Sequence, residues 1–246
     1  MNLQGKTVLI TGSSRGIGKA IAFAFAKEGC NIVLNASQSS DELLKTQNEL
    51  KAMECYSYSY LADVSNYENC KEMFGTISNI YGNIDIVVNN AGVSHMGLFT
   101  EMKPAEWDSL LDINIKSVFN CTHLALPKMI SKKGGAIINI SSIWGERGAS
   151  CEAVYSATKG AINSFTKAMA KEVGPSGIRV NAIAAGVIDT QMTSWLSKEE
   201  REVLTNDVSL MRFGKSEEIA NLAVFLAGER SSFINGQIIT ADGCMV

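Results

Sequence analysis

Proline occupies only 3 of the 246 positions and histidine only 2. So few prolines exclude a collagen-like or proline-rich extended chain. With 46% hydrophobic and 19% charged residues, the composition is not that of a solvated disordered segment either. Lys and Arg total 22 against 25 Asp and Glu, and like charges form no long run, so the basic footprint of a general nucleic-acid binder is missing. Apolar stretches such as residues 20–26 fall far short of the roughly 18 residues a bilayer span requires. Met1-Asn2-Leu3-Gln4-Gly5-Lys6 leads into a strand-like segment without the basic, apolar and cleavage regions of a secretory signal. A cytoplasmic protein with neither nucleic-acid nor membrane partners is the expectation.

Cysteine is present at six positions (30, 55, 70, 121, 151 and 244), with no C-x-x-C pair and with His95 and His123 outside metal-ligand spacing. No metal centre is expected. The cysteines read as reduced thiols, mostly small buried fillers; Cys151 and Cys244 lie near the motifs below but have no neighbouring base in sequence.

What the chain does contain is alternation. Short β-branched runs at 7–10, 31–34, 56–61, 84–89, 136–141, 179–184 and 238–241 are separated by amphipathic stretches. Ile17, Ala20, Ile21, Ala24 and Phe25 recur at helical spacing and stop at Gly29. Further helices are expected over 41–53, 66–81, 104–131, 153–173 and 216–227, with Pro104 suited to a first turn. The length suits one α/β domain over residues 1–246, a doubly wound Rossmann-type fold with a seven-stranded parallel sheet flanked by helices. Residues 186–213 break the pattern. They read as a lid-like insertion on the substrate side, with a short helix near 197–206.

Directly after the first strand stands Thr11-Gly12-Ser13-Ser14-Arg15-Gly16-Ile17-Gly18, a G-x3-G-x-G turn that opens the first helix. Glycines there allow a tight turn and close backbone approach to a phosphate, while the helix N-terminus favours an anion. At the end of the second strand, Leu34-Asn35-Ala36-Ser37 lacks the carboxylate that would hold the ribose 2′-hydroxyl of NAD. Arg15, Asn35 and Ser37 are instead donors suited to a 2′-phosphate, so NADP(H) is favoured over NAD(H).

Tyr155-Ser156-Ala157-Thr158-Lys159 opens another expected helix, with the phenol and the ammonium on one face at i, i+4. A neighbouring cation favours the phenolate, making Lys159 a tuner of an acid-base tyrosine. Ser142 stands thirteen residues earlier at the C-terminal end of an expected strand, the edge where open α/β sheets place ligands.

These pieces, with Asp63-Val64, Asn89-Asn90-Ala91-Gly92, Asn114, Asn181 and Gly186-Val187-Ile188-Asp189-Thr190, follow in the order of the short-chain dehydrogenase/reductase family, which the chain resembles over essentially its whole length. The resemblance implies Tyr155 as general acid for reduction and Ser142 as the hydroxyl that polarises the carbonyl. It implies Lys159 as the residue that binds the nicotinamide ribose and lowers the Tyr pKa, and Asn114 as the holder of a relay water. Gly12, Ser14, Arg15, Gly16, Ile17 and Gly18 would cradle the cofactor. Asp63 and Val64 would meet the adenine, Asn90, Ala91 and Gly92 would line the cleft, and Ile188 and Thr190 would touch the nicotinamide amide. For Asn89 and Asn114, a role in satisfying neighbouring backbone groups stands beside the functional one.

Within the family the chain is most similar to bacterial 3-oxoacyl acyl-carrier-protein reductases, through Ser141-Ser142-Ile143-Trp144-Gly145, Arg212-Phe213-Gly214 and Ala241-Asp242-Gly243. It departs from them at His95-Met96, Ala185-Gly186, Cys151-Glu152-Ala153-Val154, Ser176, Ser216 and Cys244. Lys132 and Lys133 supply positive charge for docking an acidic carrier protein. The resemblance thus implies NADPH-dependent reduction of a 3-oxoacyl group in fatty acid biosynthesis by a homotetramer. In that assembly helices 104–131 and 153–173 would pack on a second subunit, and a tail near Val246 would meet another. Two alternatives stand beside it: a dehydrogenase or reductase of another secondary alcohol (a sugar, steroid or small keto compound) and a noncatalytic NADP-binding scaffold.

Overall fold

The computed structural model describes residues 2–245. Seven strands form one parallel sheet in the order β3-β2-β1-β4-β5-β6-β7. They are β1 (Thr7–Ile10), β2 (Asn31–Ala36), β3 (Ser57–Leu61), β4 (Ile86–Asn89), β5 (Gly135–Ser142), β6 (Ile178–Ala185) and β7 (Ile238–Ala241). Near-continuous Val and Ile runs form the central strands because helices cover both faces. Ile10, Ile32 and Ile138 pack on one face with Ile21, Phe25 and Leu226, from helices α1 (Gly16–Lys27) and α9 (Ser216–Ala227). Leu9, Val87 and Ile137 face the other way onto Met73, Cys121 and Met169. Those three come from α3 (Tyr67–Tyr81), α5 (Ser117–Lys132) and α7 (Ala153–Val173). Helix α2 (Ser40–Ala52) lies beside β2 and β3. Cys30, Cys70 and Cys121 are buried, and all six cysteines are free thiols.

Strand order reverses between β1 and β4, which opens a crevice at their C-terminal ends. Thr11, Asn90 and Gly186 follow strand ends on that edge, and Ser142 ends β5 there.

The helix expected over 104–131 is not continuous. It divides into α4 (Pro104–Leu111), a π-helical turn over Asp112–Lys116 and α5. π-turns widen a helix by one residue per turn, a device that re-aims a side chain; here the turn carries the fully buried Asn114. A four-residue helix, α6 (Trp144–Arg147), follows Ser142. Residues 186–213 hold a 3-10 turn at Gln191–Thr193 and helix α8 (Lys198–Asn206), which the Ser197 hydroxyl caps through the Glu200 N–H. Helix α8 buries none of its residues. Among the described residues no helix is long and apolar enough to cross a membrane, and Val246 lies outside them.

Candidate active site

The turn after β1 is welded to the end of β4. The Thr11 hydroxyl accepts from the backbone N–H groups of Asn90 and Ala91, each at 3.0 Å, and the Asn90 amide donates to the Thr11 and Gly12 carbonyls at 3.0 and 2.9 Å. Gly12 has φ +61°, and a Cβ there would lie 2.9 Å from Ala91 Cα. A Cβ on Gly18 would strike the Gly12 carbonyl and stand 2.5 Å from the Asn90 amide nitrogen. The bare backbone and the N-terminus of α1 together form a concave anion cradle. The far rim comes from the segment after β6, where Thr190 Cγ2 lies 3.6 Å from the place a Cβ on Gly16 would take. Ile188 is anchored by a parallel bridge to Gly214.

Three of the expected nucleotide contacts are corrected or narrowed here. Asn35 is 1% exposed and spends its amide on the Tyr60 and Ala62 carbonyls, so it braces β2 to β3 and offers no donor to a phosphate. Val64 is buried in the core, with its carbonyl accepting from the Asn120 amide, which leaves only a thin edge for a ring. Arg15 is exposed as expected but pairs with Glu42 at 3.3 Å. Ser37 and Asp63 are exposed; Asp63 accepts from the N–H and hydroxyl of Ser65, which holds it at the crevice edge. Ser14 is nearly buried, and its carbonyl accepts from Thr46 at 3.0 Å.

Ser142, Tyr155, Lys159 and Asn114 converge. Tyr155 and Lys159 lie one turn apart on α7, and the Lys159 ammonium is 5.6 Å from the Tyr155 ring centroid. Lys159 is 4% exposed and donates to the Ile140 carbonyl at 2.9 Å. A Cβ on Gly92 would sit 3.6 Å from that nitrogen and 3.3 Å from Asn114 Oδ1, so the glycine keeps this corner open. Asn114 accepts from the Val93 N–H at 2.8 Å and donates to the Val93 carbonyl and the Thr158 hydroxyl. Its side chain therefore serves the neighbouring chain, while the π-turn sets its place. Asn89 is structural: it donates to Asn139 at 2.8 Å and to Thr122 at 3.3 Å within a buried network that reaches Thr166.

Burial pushes the Tyr155 phenol up to about 12, the Glu152 carboxylate adds to the rise, and a hydrogen bond with Ser142 opposes it. Burial alone brings Lys159 down to about 8. A neutral phenol joined to Ser142 is the right protonation state for donating a proton to a developing alkoxide.

Beside Tyr155, a narrow cleft is lined by Phe99, Met102, Leu110 and Val154, with His95 and Cys151 as its polar members. The Gly97 N–H donates to the Cys151 carbonyl at 2.8 Å and ties the wall loop down. Lys132, expected to meet a carrier protein, pairs with Asp85 at 2.8 Å. That pair lies at the N-terminal ends of β4 and β5, the sheet edge opposite the cleft. Thr11, Thr158 and Glu152 stand within the quoted motifs but were given no role of their own from the sequence, although Thr11 opens the glycine motif and Glu152 stands three residues before Tyr155.

A family profile described as enoyl-(acyl carrier protein) reductase matches residues 12–245. The 3-oxoacyl acyl-carrier-protein reductase FabG of Staphylococcus aureus strain N315 is 40% identical over 240 residues, 98% of each chain. The Thermotoga maritima protein of the same name is 39% identical over 248 residues, 100% of each chain. A crystal structure from Agrobacterium tumefaciens, described provisionally as a gluconate dehydrogenase, superposes with a TM-score of 0.95 at 34% identity, over 98% of this chain and 96% of the other. Fold and relatives together define a nicotinamide-dependent oxidoreductase acting on CH–OH groups. The chain belongs to the short-chain dehydrogenase/reductase family.

Proposed function

We propose that the protein is an NADPH-dependent reductase of 3-oxoacyl thioesters, carried on acyl-carrier protein, that forms the 3-hydroxyacyl product in fatty acid biosynthesis. The observation that carries this reading is the wall beside Tyr155. Phe99, Met102, Leu110 and Val154 present hydrocarbon where an acyl chain would lie, and His95 and Cys151 are the wall's polar members. The two FabG relatives act in support.

The cradle fits a dinucleotide, since bare backbone at Gly12 and Gly18 lets the β1 turn and the start of α1 close against Asn90 and Ala91, where a side chain would force them apart. In this reading Gly12, Ser14, Gly16, Ile17 and Gly18 hold the pyrophosphate, Arg15 and Ser37 meet the 2′-phosphate, and Asp63 with the edge of Val64 meets the adenine. Asn90, Ala91 and Gly92 form the cleft floor, and Ile188 and Thr190 flank the nicotinamide. NADPH supplies the hydride to the carbonyl carbon when bound. Ser142 donates a hydrogen bond to the carbonyl oxygen, and Tyr155 gives its proton to that oxygen as negative charge develops. Lys159 binds the nicotinamide ribose and returns a proton to Tyr155, and a water beside Asn114 resupplies Lys159 from solvent. We place the enzyme in the cytoplasm as a homotetramer. Phe119, 44% exposed and tilted against Phe165 with ring centroids 4.7 Å apart, supplies apolar surface on α5 for a subunit contact.

A second reading, oxidation of a sugar acid, is favoured by the Agrobacterium structure alone. The two separate in one experiment. NADPH deuterated at C4 and incubated with a 3-oxoacyl thioester should place deuterium at C3 of the product. Label entering a keto-sugar acid, with none entering the thioester, would reverse the choice.

A further inference from the structure

We propose that Arg147 is a positioning residue which, with the chain end, straps the substrate-side segment to the strand that carries Ser142. Arg147 ends the short helix α6. Its Nη1 donates to the Met245 carbonyl, and its Nη2 pairs with Asp242 at 3.4 Å. Asp242 in turn accepts from the Cys244 N–H at 2.9 Å. The tail then grips the outer end of the segment. The Ser209 hydroxyl and N–H donate to the Cys244 carbonyl at 2.8 and 3.2 Å, the Leu210 N–H donates to the Gly243 carbonyl, and Val208 bridges antiparallel to Met245.

At its other end α6 is joined to the reacting centre, because the Trp144 N–H donates to Ser142 Oγ at 3.2 Å. Ile143, Val208 and Met245, all under 5% exposed, form a small core between these parts with Leu204. Gly243, at φ +68°, leaves no room for a side chain, since a Cβ would stand 2.7 Å from Val208 Cγ1.

The segment is otherwise lightly held. Helix α8 has no fully buried residue, and its fastenings are Leu204 against that small core, Arg201 to Asp189 at 2.6 Å and Arg201 over the Phe213 ring at 4.3 Å. With its inner end fixed by the Ile188–Gly214 bridge and its outer end by the tail, the segment lies between two anchors. Among these contacts the Arg147 guanidinium is the charge-assisted tie between α6 and the tail. Removing it loosens the outer end without touching the Ser142, Tyr155 or Lys159 side chains.

The test compares wild type, Arg147→Met, Arg147→Lys and Asp242→Asn by trypsin cleavage at the exposed Lys198, a readout that needs no substrate. Arg147→Met and Asp242→Asn should speed cleavage at Lys198 by about tenfold, as expected when a charge-assisted contact holding a local opening is lost. Tryptic sites outside residues 186–213 and the thermal midpoint should stay unchanged, and Arg147→Lys should fall between. The kinetic arm rests on the proposed reductase reading: Arg147→Met should raise KM for the thioester with kcat held within about twofold. Unchanged cleavage at Lys198, or faster cleavage at every site with a lowered midpoint, would overturn the strap. A wild-type enzyme inert toward thioesters would count against the reductase reading and leave the proteolysis result to decide.

Discussion

The Lys159 ammonium lies 5.6 Å from the Tyr155 ring centroid and donates to the Ile140 carbonyl at 2.9 Å, so the two residues share one buried corner with the cation against the ring face. Their titrations are displaced in opposite directions, Tyr155 up to about 12 and Lys159 down to about 8.

That displacement fixes the sign of a pH effect on stability. The ordinary lysine value is 10.5, so between about 8 and 10.5 the unfolded chain holds a proton that folded Lys159 has lost, and folding gains as pH rises through the window. Tyr155 and Cys30 act oppositely at higher pH, because burial raises both to about 12 and the folded groups keep protons that the unfolded chain sheds. The difference between wild type and Lys159→Met isolates the lysine. Urea titrations should show that difference moving in favour of wild type across the window, and a flat difference would contradict the buried, unpaired ammonium.

Replacing Tyr155 with Phe keeps the ring and removes the acid. NADPH binding, followed by fluorescence, should survive, while turnover should fall by about a hundred- to ten-thousand-fold, the usual worth of a positioned general acid. Retained turnover would assign the proton to another group.

Arg15 and Glu42 form an exposed pair at the nucleotide edge. Arg15→Ala should raise KM for NADPH by about ten- to a hundredfold, the worth of one charge-assisted hydrogen bond, and leave KM for NADH nearly unchanged. Glu42→Gln should move the ratio the other way, by freeing the guanidinium and removing a negative charge near the 2′-phosphate. Equal effects on both nucleotides would exclude Arg15 from cofactor choice.

Gly18→Ala tests the cradle. The added methyl has no space between the Gly12 carbonyl and the Asn90 amide, so the β1 turn must shift away from β4. NADPH affinity should drop sharply, with a loss of stability of about 1–3 kcal/mol from the overpacked contact. Unaltered affinity would mean that the nucleotide sits elsewhere.

The sheet was legible because β-branched runs and glycine stops mark each βαβ unit locally, and α7 and α9 begin and end where the helical period does. The π-turn at Asn114 was not, since the apolar period of 104–131 runs through it and the widening answers to the Val93 and Thr158 contacts across the crevice. The catalytic candidates were legible as ordered motifs, but which atoms they spend was not. Asn35 reads from the sequence as following a strand, where a phosphate ligand would stand, yet it lies within β2 and its amide is spent on the Tyr60 and Ala62 carbonyls of the neighbouring strand region. Lys132 carries the expected charge on the wrong edge, because the length of α5 delivers it to Asp85. Glu152 acts on Tyr155 through a helix start that brings them together.

The central claim is reduction of a 3-oxoacyl group at the apolar wall beside Tyr155. The most direct measurement is the rate of NADPH and NADH oxidation by the purified protein with one 3-oxoacyl thioester, carried on acyl-carrier protein and then on coenzyme A. Fast turnover with NADPH, slower with NADH, and a preference for the carrier-bound form is the predicted result. NADPH that binds without being consumed by either thioester would contradict it.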